Sequence, residues 1–308
     1  MTEPKGLASH ETETDQAIGL WTGRRVCKRI TAHYARTFYF ASHCLPRVTR
    51  SHAYSVYAFC RWADNAVDDA ESLDDAKHRL NLARSALDSA YSTEPVAEGL
   101  TAFRWTVQQC KIPRYLFEEL LEGMAMDLVK SRYQDWPELD LYCYRVAGVV
   151  GLMMTHVFGF DDPSCFDQAK SLGVAMQLTN ILRDIGEDFD RGRIYLPADE
   201  MLLFGMTEEQ IASKTRDHHS DAFLKFQIQR ARQHYELAEG GICHVLGSTH
   251  RMTIRVMGHL YGLILNEIEK LGYDIFKTRA RVSRNRKLMG LAGCQCRTWA
   301  EDVWLALH

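Results

Sequence analysis

Asp64 and Asp68 stand four residues apart in Arg61-Trp62-Ala63-Asp64-Asn65-Ala66-Val67-Asp68-Asp69. In a helix that spacing stacks both carboxylates on one face, roughly 5–6 Å apart. Tyr54, Tyr57 and Arg61 precede them on the same stripe, so the acids prolong a ridge that begins with aromatic side chains and faces inward. Two ionised carboxylates so close in a low-dielectric interior repel each other. They must take up protons or share a cation. An all-oxygen pair suits a hard divalent ion, and Mg²⁺ above others because it bridges to phosphate oxygens. Without the aromatic lead-in, the same spacing would describe a solvated helix face.

A second stripe lies further on, in Gln177-Leu178-Thr179-Asn180-Ile181-Leu182-Arg183-Asp184-Ile185-Gly186-Glu187-Asp188. Gln177, Asn180, Asp184 and Asp188 fall within a quarter-turn of one another at 3.6 residues per turn. Leu172, Val174, Ile181 and Ile185 cover other faces of that helix, which is therefore packed on several sides. Oxygen-bearing side chains in such a place weaken a fold unless something binds them. Two stripes confronting one cavity would form a cage for several Mg²⁺ ions, which neutralise a diphosphate and ease its departure.

Helices must carry these stripes, and the rest of the chain supplies them. Apolar residues recur at three- and four-residue spacing, predicting helices over 31–41, 51–69, 73–91, 100–109, 114–132, 138–158, 163–191, 207–215, 220–246 and 253–271. Breaks fall at Leu45-Pro46, Ile112-Pro113, Trp136-Pro137, 159–163 and Leu196-Pro197. With 7 prolines, 20 glycines and no proline- or serine-rich linker, the expectation is an all-α, single-domain helical bundle around a central cavity. That domain would span 23–290, between a flexible polar segment at 1–22 and a C-terminal segment at 291–308.

Composition narrows the classes. The 308 residues are 46% hydrophobic and 25% charged, as in an ordinary globular protein. The net charge of -3, with no sustained basic face, gives no reason to expect nucleic acid. Nine cysteines lack paired metal-ligand spacing, and the polar opening lacks the layout of a signal peptide, so a reduced, cytoplasmic setting is expected. The run from Val146 to Met154 is too short to cross a bilayer, which needs about 20 residues. Contact with a membrane would be peripheral, at its inner face.

From Arg36 to Leu288 the chain resembles the squalene/phytoene synthase family, most specifically in the second stripe and its tail, Phe189-Asp190-Arg191-Gly192-Arg193-Ile194-Tyr195-Leu196-Pro197. The resemblance implies a single α-helical bundle and makes Asp64, Asp68, Asn180, Asp184 and Asp188 the ligands of Mg²⁺-diphosphate, with Mn²⁺ as a substitute. The aspartates would be catalytic, as would Tyr142, placed near the reacting carbons. Arg36 and Thr37 would contact diphosphate and Phe38 would line the cavity. Arg61, Gln177, Tyr261 and Arg279 join them, with Arg281 competing for the role of Arg279. The helical period puts Tyr142, Val146, Val149 and Met153 on one face, an apolar wall for an isoprenoid chain. Arg191 and Arg193 would close over the leaving diphosphate.

The reaction implied is head-to-head condensation of two allylic diphosphates through a cyclopropylcarbinyl diphosphate. Gly151-Leu152-Met153-Met154 and Arg36-Thr37-Phe38-Tyr39-Phe40 favour two geranylgeranyl diphosphates giving phytoene. The alternative is two farnesyl diphosphates giving presqualene diphosphate, dehydrosqualene or squalene, with NADPH needed only for squalene. A downstream desaturase would be a partner. Two rivals come from other classes. Head-to-tail or cyclising synthases usually carry an Asp-Asp-x-x-Asp motif, and here position 65 is Asn65. A non-catalytic scaffold of the same family would be expected to lose the acids, and all are present.

Overall fold

The computed structural model describes residues 7–307. Fourteen α-helices are found there: α1 (Leu7–Tyr34), α2 (Arg36–Ala41), α3 (Arg47–Asp68), α4 (Leu73–Tyr91), α5 (Thr101–Gln109), α6 (Arg114–Val129), α7 (Trp136–Cys143), α8 (Val149–Phe158), α9 (Cys165–Asp190), α10 (Ala198–Phe204), α11 (Glu208–Ala212), α12 (His218–Glu239), α13 (Ser248–Lys270) and α14 (Arg284–Leu307). Their starts obey the chain's capping chemistry. Pro46 and Pro113 precede α3 and α6, while Ser72, Asp135, Thr207 and Asp217 accept backbone N–H groups at the heads of α4, α7, α11 and α12.

The all-α expectation holds, with local differences. Helix α1 begins well before residue 31, and the proposed boundary at 22 falls inside it. Likewise α14 runs across the proposed boundary at 290. Two short strands, β1 (Arg132–Tyr133) and β2 (Ile194–Pro197), pair in parallel, with the Ile194 N–H donating to the Ser131 carbonyl at 2.9 Å. This small clasp fixes the tail of the second acidic stripe beside α6.

The expected helix over 138–158 is interrupted. Residues Tyr144–Gly148 form a π turn between α7 and α8. Such a turn takes in one extra residue and so rotates the face of α8 by about 100° relative to a continuous α-helix. Behind it, α8 and α9 pack backbone to backbone. A Cβ added at Gly151 would lie 2.2 Å from the Ala169 carbonyl oxygen, and one at Gly173 would lie 2.2 Å from that of Ala147. Only glycine permits that approach.

Two buried apolar clusters flank the resulting space. One joins α3–α6 and α8 around Phe59, Phe117, Leu120, Val149 and Met153. The other joins α7, α9, α12 and α13 around Leu178, Leu182, Phe223 and Leu265. Val146, in the π turn, packs against both. By length and composition the stretch Trp136–Phe158 could cross a membrane, but here it forms the middle of the bundle.

Candidate active site

A cavity of about 410 Å³ lies between the two clusters, walled by α3, α6, α8, α9 and α13. Tyr57, Arg61 and Asp64 enter it from α3; Gln177 and Asn180 enter from α9; Tyr261 enters from α13. Asp64 from the first stripe and Gln177 and Asn180 from the second therefore share one chamber. Asp68, Asp184 and Asp188, one or two turns further along their helices, continue the stripes past the cavity's polar end.

Arginines partner the acids. The Arg61 guanidinium donates to Asp64 Oδ2 at 2.6 Å while lying 4.5 Å above the Tyr34 ring. Arg193, delivered by the β1–β2 clasp, pairs with Asp68 at 3.3 Å. Its positive charge also favours the ionised forms of Asp64, Asp127 and Asp188, so it stands between the two stripes. Arg183 donates to Asp184 Oδ1 at 2.8 Å. Arg279 reaches Asp184 at 2.9 Å and Glu187 at 3.3 Å.

Burial dominates the electrostatics. It pushes the Asp64 carboxyl up to about 6, helped by the neighbouring Asp68 charge. Burial and then the Asp184 charge push Asp188 up to about 7. A set of oxygen donors left partly protonated near neutrality is short of positive charge. A divalent cation would supply it, and the hard carboxylate donors fit Mg²⁺. Asp217, His218 and His219 also converge, but on the surface, where Asp217 is committed to capping α12.

Spacing alone did not single out Asp127. It lies on α6, where its two oxygens accept the hydroxyls of Tyr142 at 2.9 Å and Tyr195 at 2.8 Å. The Tyr142 and Tyr195 rings stack with centroids 5.0 Å apart. Burial, then the Asp127 charge, raises Tyr142 well above its ordinary range, so it stays a neutral phenol at the cavity wall. The available signal was an acid in the apolar run Gly123-Met124-Ala125-Met126-Asp127-Leu128-Val129.

Two expectations need correction. Val149 and Met153 do not line the cavity; both are fully buried in the first cluster. The π turn is the reason. Beyond Val146 it brings Ala147, Val150, Gly151 and Met154 to the wall instead. Phe38 is in the lining; Arg36 and Thr37, like Asp68, Asp184 and Asp188, lie outside it. Arg36 is exposed, because α2 turns Phe38 inward and its own first residue out. Of the arginine pair expected to close over diphosphate, Arg193 is ion-paired at the site and Arg191 is exposed.

Comparisons with known proteins agree with this geometry. Residues 31–286 match the family model described as squalene/phytoene synthase. A phytoene synthase of Arthrospira platensis is 38% identical over 285 residues, covering 88% of this chain and 92% of the relative. A 15-cis-phytoene synthase of Synechocystis sp. is 37% identical, covering 86% of this chain and 82% of the relative. The crystal structure of a dehydrosqualene synthase in complex with ligand superposes with a TM-score of 0.84 at 29% identity, covering 91% of this chain and 98% of the other.

Proposed function

Because this chain belongs to the squalene/phytoene synthase family, we propose that it joins two geranylgeranyl diphosphates head to head into phytoene, with release of two diphosphates and two protons. It is a prenyltransferase, and the choice of phytoene rests on relatives of that name spanning most of the chain. The observation that carries the reading is one cavity that Arg61, Asp64, Gln177 and Asn180 enter and that Phe38, Val146, Val150 and Met154 line with apolar side chains.

Asp64 and Asp68 on one side, with Asn180, Asp184 and Asp188 on the other, would hold Mg²⁺. Bound there, the ion supplies Lewis-acid stabilisation of the charge that builds on a departing diphosphate. Arg61, Arg183, Arg193 and Arg279 grip the diphosphate oxygens as its ester bond weakens. Val146, Val150, Met154 and Phe38 keep water from an allylic cation, which water would otherwise capture as an alcohol. Tyr142 donates a hydrogen bond to Asp127, which leaves its oxygen lone pairs free to face that cation.

Likeness to a dehydrosqualene synthase keeps a second product open, the C30 hydrocarbon from farnesyl diphosphate. Purified protein with Mg²⁺ and either diphosphate, with and without NADPH, tests both. Phytoene from geranylgeranyl diphosphate without NADPH is expected. A C30 product alone, or a strict need for NADPH, would move the assignment to the other branch. No release of pyrophosphate from either substrate would defeat the enzyme reading.

A further inference from the structure

We propose that Asp127 is a positioning residue for the reaction: together with Tyr195 it fixes the direction of the Tyr142 hydroxyl, which then offers lone pairs and no proton to the cavity. This role rests on the reaction proposed above and names the side chains that prepare one of its groups. Of the three, only Tyr142 lines the cavity. Asp127 and Tyr195 act on the substrate through it.

A phenol proton lies near the plane of its ring and turns about the C–O bond, so it points wherever an acceptor draws it. A carboxylate only accepts. Asp127 gives one oxygen to each ring: Oδ2 accepts from Tyr142 at 2.9 Å and Oδ1 accepts from Tyr195 at 2.8 Å. Both protons are thereby drawn toward α6. The rings themselves are held in place. Tyr142 stacks on Tyr195 with centroids 5.0 Å apart, and Tyr133, 1% exposed, lies 5.3 Å from Tyr142 and 5.7 Å from Tyr195. Three elements meet here, with α6 supplying the acid, α7 the cavity-facing phenol and the β1–β2 clasp the two supporting rings.

A structural tie would not need a charge. The hydrogen-bond partners of Asp127 are neutral hydroxyls, and burying a carboxylate against neutral partners is costly. Burial raises its carboxyl above the ordinary range, opposed by the Arg193 charge and then by the two hydroxyls. An uncharged amide would link the same elements more cheaply, but it accepts with its oxygen and donates with its nitrogen. It would hold one of the two protons and release the other. Accepting both at once is what the carboxylate adds. A Tyr142 proton released from that hold would turn to the cavity, where an O–H dipole aimed at an allylic cation repels it.

Full-length wild type, Asp127→Leu, Tyr142→Phe and the double variant are compared with Mg²⁺ and geranylgeranyl or farnesyl diphosphate. Asp127→Leu removes both acceptors at similar volume. It should lower kcat about a hundredfold with KM little changed, as misdirecting a group at the reacting centre does. A larger share of its pyrophosphate release should be matched by prenyl alcohol instead of hydrocarbon. Tyr142→Phe should lose about as much, and the double variant no more than either, because the two residues act as one unit. Losses that multiply in the double variant, or a folded Asp127→Leu with wild-type kcat, would overturn the role. Without substrate, ultraviolet resonance Raman difference spectra between wild type and Tyr142→Phe should show the Tyr142 hydroxyl as a donor. A hydroxyl that only accepts would overturn the proposal even should Asp127→Leu not fold, and would leave the reaction standing. Wild-type protein that releases no pyrophosphate would instead remove the reaction, and this role with it, whatever the spectra show.

Discussion

The residues that carry the chemistry are held by opposite charge rather than by packing alone. Replacing Asp184 by Ala leaves Arg183 and Arg279 without their shared carboxylate. Turnover should fall by on the order of a hundredfold or more while far-ultraviolet circular dichroism stays unchanged. Near-normal kinetics would remove the carboxylate from the mechanism. Away from the site, His52 stacks 3.8 Å from Trp105, donates to or accepts from Thr106 Oγ1 at 3.0 Å, and is held down to about 4 by burial and then by Arg24. The unfolded chain protonates this imidazole near its ordinary value of 6.5, and the folded chain only near 4. The unfolded state therefore binds more protons between those values, and stability is lost as pH falls through that window. The loss should be on the order of 3 kcal/mol. Thermal melts across that range check it, and His52→Phe should flatten the slope. Both acidic stripes were legible from spacing because a helix converts sequence interval directly into direction. Asp127 was not, since its role depends on hydroxyls from two other elements, Tyr142 and Tyr195.

At the scale of elements, one inserted residue decides which side chains meet the substrate. A continuous helix through 138–158 would present Val149 and Met153, whereas the π turn at Tyr144–Gly148 presents Val150 and Met154. Val150→Asp should therefore cripple turnover in a folded protein. Val149→Ala should instead lower stability by about 2 kcal/mol with kcat little changed, because it leaves a void in a packed cluster. Denaturant titrations together with initial rates separate the two outcomes; a reversal of the pattern would put the wall back on the continuous-helix face. Most helices were readable from apolar periodicity and proline positions. The π turn was not, because its cause is tertiary: α8 must settle against α9 at Gly151 and Gly173, and sequence period cannot register that contact.

For the whole molecule, α14 closes the bundle through charges. Arg255, 7% exposed, reaches Glu239 at 2.9 Å, Glu301 at 2.7 Å and Thr298 at 3.0 Å, and Arg251 reaches Glu301 at 3.0 Å. Removing Arg255 leaves the half-buried Glu301 with Arg251 alone and Glu239 with Arg297 alone. Arg255→Ala should cost about 3 kcal/mol in chemical denaturation and release α14 to proteolysis before the remainder; an unchanged midpoint would show the network to be dispensable. The bundle itself was foreseeable from uniform helical periodicity without linkers, but α14 was left outside the expected domain because its anchoring acids lie far from their arginines in sequence. Arg193 adds a consequence for what an arriving ligand meets. By standing between two ridges of like charge, it offsets part of their mutual repulsion. The first ligand to enter must then exchange places with a guanidinium rather than fill a gap.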